Sequence, residues 1–252
     1  MRLEGKTAIV TGAGSGMGAA IAKLYAEEGA NVVASDINEE SLTAIIEEIK
    51  ESGGQAVSLV SNVAVQKDID ELVALSLNEY GSLDILVNNA GIVDNFITVG
   101  DVSDELWDRV ISINLTGAFK LCRAAINIME TQETGGVIIN NASVGGLFGT
   151  RGGASYAASK HGLIGLTKNI AATYGVYGKV RCNAIAPGGV ATNIQKTIDA
   201  PSPLGYKALK DTGYAPTADP KQIAQIAVFL ASDESSFVNG DVLKADGGWT
   251  AR

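Results

Sequence analysis

The sequence predicts an α/β fold: a parallel sheet with helices packed on both of its faces. Three observations carry that expectation. Short runs rich in Val and Ile alternate with longer stretches of helical period along all 252 residues. The runs are apolar throughout instead of alternately polar, as a strand buried on both faces requires, because each crossover helix covers a face. Glycines at 29, 53, 81 and 175 fall where helices should stop.

In order, a first strand is expected at 7–11, then a glycine-rich turn and a helix at 17–29. A strand at 31–36 and a helix at 39–53 follow, then a strand at 55–60, a helix at 67–81 and a strand at 84–88. One long helix is expected over 103–129, a strand at 136–140 and a helix at 155–175. The chain then gives a strand at 179–186, a helix at 220–232 and a last strand at 242–245. No linker, repeat or low-complexity stretch divides the alternation, so one domain is expected over 1–252. The irregular part is 188–217, with Pro201, Pro203, Gly205, Gly213 and Pro216. A loop that long within a compact domain is commonly functional, and it reads as a mobile lid over a substrate site.

Composition narrows the function. The 19 Lys and Arg residues against 28 Asp and Glu leave a formal charge of −9, which repels phosphate backbones and anionic lipid. Nucleic acid and membrane are therefore not expected partners. Hydrophobic residues make up 46% and charged ones 19%, a globular composition. No apolar run approaches the roughly 18 residues of a membrane span, and the charged start is unlike a signal peptide. Cys122 and Cys182 form neither a disulfide framework nor a CxxC pair. The chain reads as soluble and cytoplasmic.

Three groups of residues carry chemistry. The first strand enters Thr11-Gly12-Ala13-Gly14-Ser15-Gly16-Met17-Gly18 and then a helix. Glycines there permit a tight turn and let backbone approach a phosphate, which the N–H groups and positive dipole end of the helix attract. Asp36 ends the second strand, where a carboxylate can accept hydrogen bonds from an adenosine ribose. It also repels a 2′-phosphate, by about 4 kcal/mol for unit charges about 4 Å apart at an effective dielectric of 20. With Ile37 and Asn38 next and no Arg or Lys in the glycine loop, NAD is expected over NADP. Tyr156 and Lys160 lie four apart at the start of a helix, on one face. An ammonium about 4 Å from the phenol lowers its pKa by on the order of three units, bringing it into the range of proton transfer. Ser143, just past the fifth strand, supplies a hydroxyl to hold the reacting oxygen.

Together these residues resemble the short-chain dehydrogenase/reductase family, in its short single-domain branch. The resemblance spans essentially the whole chain: Thr11 to Gly18, Asn88-Asn89-Ala90-Gly91, Asn114, Ser143, Tyr156-Ala157-Ala158-Ser159-Lys160, Pro187-Gly188 and Asp246-Gly247-Gly248. It implies a Rossmann-type doubly wound sheet of seven parallel strands, a homotetramer or less often a dimer, and hydride transfer between NAD and a small secondary alcohol or ketone. By the same resemblance Tyr156 is the acid/base, Lys160 lowers its pKa and holds the nicotinamide ribose, Ser143 orients the carbonyl, and Asn114 keeps a water in a proton relay. Gly12, Ser15, Gly16, Met17 and Gly18 would cradle the pyrophosphate. Asp36 and Ile37 would meet the adenosine ribose, and Asn62 and Val63 the adenine, with Asn62 where the family often has Asp. Asn89 would line the cleft, and Val190 and Thr192 would meet the carboxamide. No metal is implied.

The pocket segments implied are 92–96, 144–153 and 193–217. The last offers an apolar wall of Ile194, Ile198, Leu204, Tyr206 and Leu209. Apart from Asp94, Lys196, Asp199, Lys207, Lys210 and Asp211, nothing there demands a charged substrate, and Arg151 reads as a substrate anchor or, more readily, as a solvated loop residue. His161 is assigned no catalytic role, and Trp107 and Trp249 read as core or subunit-contact residues. Ketoacyl-carrier-protein reductases are an alternative, less favoured because they commonly carry Arg where Ala172 stands and favour NADP. Glucose dehydrogenation and a non-catalytic NAD-binding sensor or scaffold also remain open.

Overall fold

The computed structural model describes residues 1–194, 198, 200–213 and 216–251. Its strands are β1 (Thr7–Thr11), β2 (Asn31–Asp36), β3 (Gln55–Val60), β4 (Ile85–Asn88), β5 (Gly136–Asn141), β6 (Val180–Pro187), β7 (Gly189–Val190), β8 (Thr217–Ala218) and β9 (Val242–Ala245). Its α-helices are α1 (Gly16–Glu27), α2 (Glu39–Glu51), α3 (Gln66–Tyr80), α4 (Asp104–Ile111), α5 (Ala118–Met129), α6 (Ala154–Tyr177), α7 (Pro203–Lys210) and α8 (Pro220–Ala231).

The seven expected strands form one sheet in the order β3-β2-β1-β4-β5-β6-β9, every neighbouring pair parallel. Successive strand side chains point to opposite faces, and here both faces are covered. Ala8, Val10, Val32, Ala34, Ile85 and Val87 join one core with Ile21 of α1, Ile45 of α2 and Ile223 of α8. Ile9, Val33 and Leu86, from the same strands, join a second core with Leu72 of α3, Leu121 of α5 and Ile170 of α6. This is why the strands read as unbroken apolar runs. The strand order reverses between β1 and β4, and such a switch point opens a crevice at the carboxyl ends of the strands.

Local signals set most boundaries. The Asn38 side chain caps α2 through Ser41 N–H, and Asp219 with Gln222 forms a capping box ahead of Pro220 in α8. Gly29, Gly53 and Gly81 follow their helices with positive φ, as expected. Gly175 does not stop a helix: α6 runs on to Tyr177. That glycine is explained by packing, since a Cβ there would fall 1.9 Å from Asn239 Nδ2.

Two further expectations are corrected. The helix expected over 103–129 is interrupted by a π-helical segment, Ser112–Gly117, between α4 and α5. Its Asn114 grips the backbone of Ile92, accepting from Ile92 N at 2.8 Å and donating to Ile92 O at 2.9 Å. The described part of segment 188–217 is also more regular than a loop. β7 pairs with β8, and α7 starts on Pro203 behind the Ser202 cap, a proline signal that reads from sequence as loop.

Candidate active site

The glycine loop joins β1 to α1 at the switch point. Gly12 has φ +65°, and a Cβ on Gly18 would lie 2.0 Å from Gly12 O and 2.5 Å from Asn89 Nδ2. Only glycine lets α1 pack directly on the loop. Ser15 caps α1 without a side-chain hydrogen bond, and the first turn holds no acidic residue. The helix therefore keeps free N–H groups for an anion. Asp36 closes the loop from β2, its carboxylate accepting from Gly14 N at 2.9 Å and Asn38 N at 3.0 Å.

Two adjoining cavities of about 320 and 310 Å³ share Gly12, Asp36, Ile37, Ala90, Gly91 and Ile92 and so form one groove. Ser15, Gly16, Met17, Asn89 and Thr192 line one part of it, Asn62 and Val63 the other. Gly18 and Val190 are buried and do not line it. Thr192 Oγ1 is buried with no partner among the described residues. The open helix end, the carboxylate at the end of β2 and this orphaned hydroxyl fit a nicotinamide dinucleotide.

Beside the groove, Ser143 and Tyr156 line a cavity of about 760 Å³. Ser143 leaves the end of β5, its Oγ accepting from Gly145 N at 2.9 Å. Tyr156 and Lys160 stand on successive turns of α6, with Lys160 Nζ 5.7 Å from the centre of the Tyr156 ring. Lys160 Nζ donates to Asn141 O at 2.8 Å. A Cβ on Gly91 would lie 3.2 Å from Asn114 Oδ1 and 3.5 Å from Lys160 Nζ, so groove wall, asparagine and lysine meet there. The four expected catalytic residues are thus brought to one place. Asn114 Oδ1 is occupied by Ile92 N, and its Nδ2 also reaches Ser159 Oγ at 3.2 Å. Its visible work is to hold the Ile92 backbone.

Burial sets the protonation states. It pushes the Lys160 ammonium down to about 8. It also raises the Tyr156 phenol, an effect opposed by the nearby Ser143 side chain and reinforced by the Asp94 charge. Desolvation of a buried phenolate is the largest of these effects, and it acts against the lowering expected from Lys160. Asp94 is itself a residue that sequence reasoning records only as a charge near the pocket. It is buried, and accepts from Gly153 N at 2.9 Å, Ser155 Oγ at 2.8 Å and Tyr156 N at 2.9 Å. The carboxylate caps α6 and seats Tyr156, across a sequence separation of 62 that leaves no local signal.

The cavity wall holds Phe96, Ile198, Tyr206 and Leu209, but of the expected apolar wall Leu204 is exposed and Ile194 lines the groove instead. Lys196 and Asp199 lie outside the described residues. Arg151 is not a solvated loop residue: its guanidinium stacks 4.5 Å from the Trp249 ring centre and 5.5 Å from that of Phe148. Trp249 lines this cavity, whereas Trp107 is exposed. His161 is exposed and hydrogen-bonds Ala157 O at 2.9 Å, away from the chemistry. Cys122 and Cys182 are buried and free.

Comparison with known proteins places this geometry. A family model described as enoyl-(acyl carrier protein) reductase matches residues 12–250. The chain is 41% identical to 3beta-hydroxysteroid dehydrogenase 2 of Eggerthella lenta, over 99% of this chain and 96% of that protein. It is also 41% identical to 3-oxoacyl-(acyl-carrier-protein) reductase FabG of Thermotoga maritima, over 98% and 99%. The crystal structure titled gox2181 superposes with a TM-score of 0.90 at 31% identity, covering 100% of this chain and 98% of that one. With its seven-stranded parallel sheet and full-length matches to dehydrogenases and reductases, the chain belongs to the short-chain dehydrogenase/reductase family of oxidoreductases.

Proposed function

We propose that the protein is an NAD-dependent dehydrogenase/reductase interconverting a secondary alcohol and a ketone, with Tyr156 as the acid/base. The observation that carries this reading is the convergence of Ser143 and Tyr156 on one cavity, with Lys160 beside the Tyr156 ring and against Gly91 of the groove wall. Ser15, Gly16 and Met17 at the start of α1 would hold the pyrophosphate, with Gly12 and Gly18 shaping the loop. Asp36 and Ile37 would hold the adenosine ribose, and Asn62 and Val63 the adenine. Lys160 would hold the nicotinamide ribose, and Val190 and Thr192 the carboxamide, with Asn89 along the cleft. When bound, the dinucleotide supplies or accepts the hydride.

The chain's own residues handle the proton. Ser143 Oγ donates a hydrogen bond to the substrate oxygen and fixes its place. Tyr156, kept protonated by burial, gives its proton to that oxygen in reduction and takes it back in oxidation. Asn114 fixes Ile92 and, with Lys160, the path by which the phenol is reprotonated. Asp36 supports NAD, because a 2′-phosphate would be repelled by a carboxylate already engaged with Gly14 and Asn38, although Arg109 also lines that part of the groove. The reading takes the chain as one domain with 188–217 as its lid, a homotetramer, and cytoplasmic. Among the described residues no helix is long and apolar enough to cross a membrane.

The test is consumption of reduced nicotinamide across a panel of ketones, with NADH and NADPH in parallel. Tyr156→Phe is expected to abolish turnover while NADH binding persists, and Asp36→Ala to narrow the preference for NADH. Turnover surviving in Tyr156→Phe removes Tyr156 from the mechanism. An unchanged cofactor ratio in Asp36→Ala removes the argument for NAD.

A further inference from the structure

Arg151 is built into the substrate cavity as few charged side chains are. Its guanidinium lies against the faces of Trp249 and Phe148, an arrangement that holds a cation by its plane and leaves its edges for a ligand. Nη1 donates to Thr150 Oγ1 at 2.8 Å, while Nε is buried with no acceptor among the described residues. No ion pair engages Arg151 among those residues. Asp246 is near enough to favour its charge, but its oxygens accept from Gly248 N at 2.9 Å and Thr250 N at 3.0 Å. Asp94, the carboxylate in the same cavity wall, is occupied with the start of α6.

A second cation repeats the pattern. Lys210 of α7 lines the cavity with its Nζ 4.6 Å from the ring centre of Tyr206 and likewise makes no ion pair among the described residues. A cavity that holds the expected proton donor thus presents two cations seated on aromatic rings and, among the described residues, no free carboxylate to balance them. If Arg151 served packing alone, a neutral side chain would fill the place without the burden of an incompletely paired charge.

We propose that the substrate carries a carboxylate and that Arg151 seats it: an oxo acid and its hydroxy acid, with an apolar body between the two ends. This rests on the reading of Tyr156 as the proton donor at the carbonyl. The planar fork of a guanidinium matches a carboxylate's two oxygens. Phe96, Val144 and Leu209 line the space around the apolar body. Lys210, on α7, adds a second cation to the cavity wall.

The experiment uses straight-chain oxo acids that differ in the number of methylenes between carbonyl and carboxylate, each paired with its methyl ester. Turnover is followed with reduced nicotinamide in the wild type, Arg151→Met and Arg151→Lys. At the best chain length the acid is expected to exceed its ester roughly ten- to hundred-fold in kcat/KM, as a charge-assisted hydrogen bond gives, mostly through KM. Arg151→Met should bring that ratio close to one, and Arg151→Lys should restore part of it. Equal turnover of acids and esters by the wild type, or a preference that survives Arg151→Met, overturns the proposal while leaving the reductase reading intact. If no ketone is turned over, the reductase reading fails, and a binding measurement decides the carboxylate seat separately. Saturated fatty acids, which lack a carbonyl, are titrated against Trp249 fluorescence in a Trp107→Phe background. A saturable change abolished by Arg151→Met supports the seat, and no change overturns it.

Discussion

Asp94→Asn probes the device that seats Tyr156, the proposed proton donor. The carboxylate is 1% exposed, and it satisfies Gly153 N–H through Oδ1 and both Ser155 Oγ–H and Tyr156 N–H through Oδ2. An asparagine of the same shape can place its one oxygen at the Oδ2 position. Its amide nitrogen then faces the Gly153 N–H, donor against donor. Leaving that buried N–H unpaired costs about 1–3 kcal/mol, and losing the negative charge at the start of α6 costs about 0.3–1 kcal/mol more. The sum is about 2–4 kcal/mol. For a chain of this size each kcal/mol moves Tm by about 2–4 °C, so thermal unfolding followed by circular dichroism should show a fall of roughly 5–15 °C. Catalysis carries a second, oppositely informative signal. The Asp94 charge raises the Tyr156 phenol, so its removal should shift the Tyr156 limb of the pH–rate profile to lower pH even as kcat falls. A variant with wild-type Tm and an unmoved pH profile would refute the assignment of Asp94 to both tasks.

Gly18→Ala places a Cβ 2.0 Å from Gly12 O, so α1 must retreat from the loop. The expected result is a stability loss of about 1–3 kcal/mol together with weaker NADH binding in a fluorescence titration; wild-type affinity would contradict the close-approach argument. Because burial raises Tyr156, reduction is expected to be flat through neutral pH and oxidation to rise toward alkaline pH, which initial rates in both directions will check. Lys160, held at about 8 against an ordinary 10.5, is a charge the fold disfavours. Between those values the unfolded chain binds more protons, so stability contributed by this group should rise as pH climbs through the window. Tm measured across it should rise less in Lys160→Met than in the wild type; parallel curves would show that Lys160 is not the titrating group.

The sheet was legible because its signal is local and repeated. Val32, Val33 and Ala34 face different cores yet are all apolar, and that continuity exists only where both faces are covered. The glycine loop was legible for a related reason: backbone packed this closely tolerates no Cβ, so the constraint is written into residue type. Tyr156 and Lys160 share one helix face at any tertiary context, so their pairing follows from spacing alone. Proline at 203 and glycine at 175 misled because each residue has two uses. Pro203 opens a helix as readily as it breaks one, and Gly175 makes room for Asn239 within α6.

By itself, then, the sequence determined the seven strands of the main sheet and most of the helices between them, the glycine loop after β1, and the identity of Ser143, Tyr156 and Lys160. Tertiary structure alone decided what surrounds them. Asp94 reaches the start of α6 from far along the chain, Asn114 grips Ile92 from a π-helical turn, and Arg151 lies on Trp249. It also decided protonation, since the pKa of Tyr156 turns on how deeply the phenol is buried, and burial is a sum over chain segments that no local pattern encodes. Residue type and spacing specify chemistry that neighbours along the chain can perform, while charge, solvation and partner choice depend on contacts made only after the sheet has brought distant loops together.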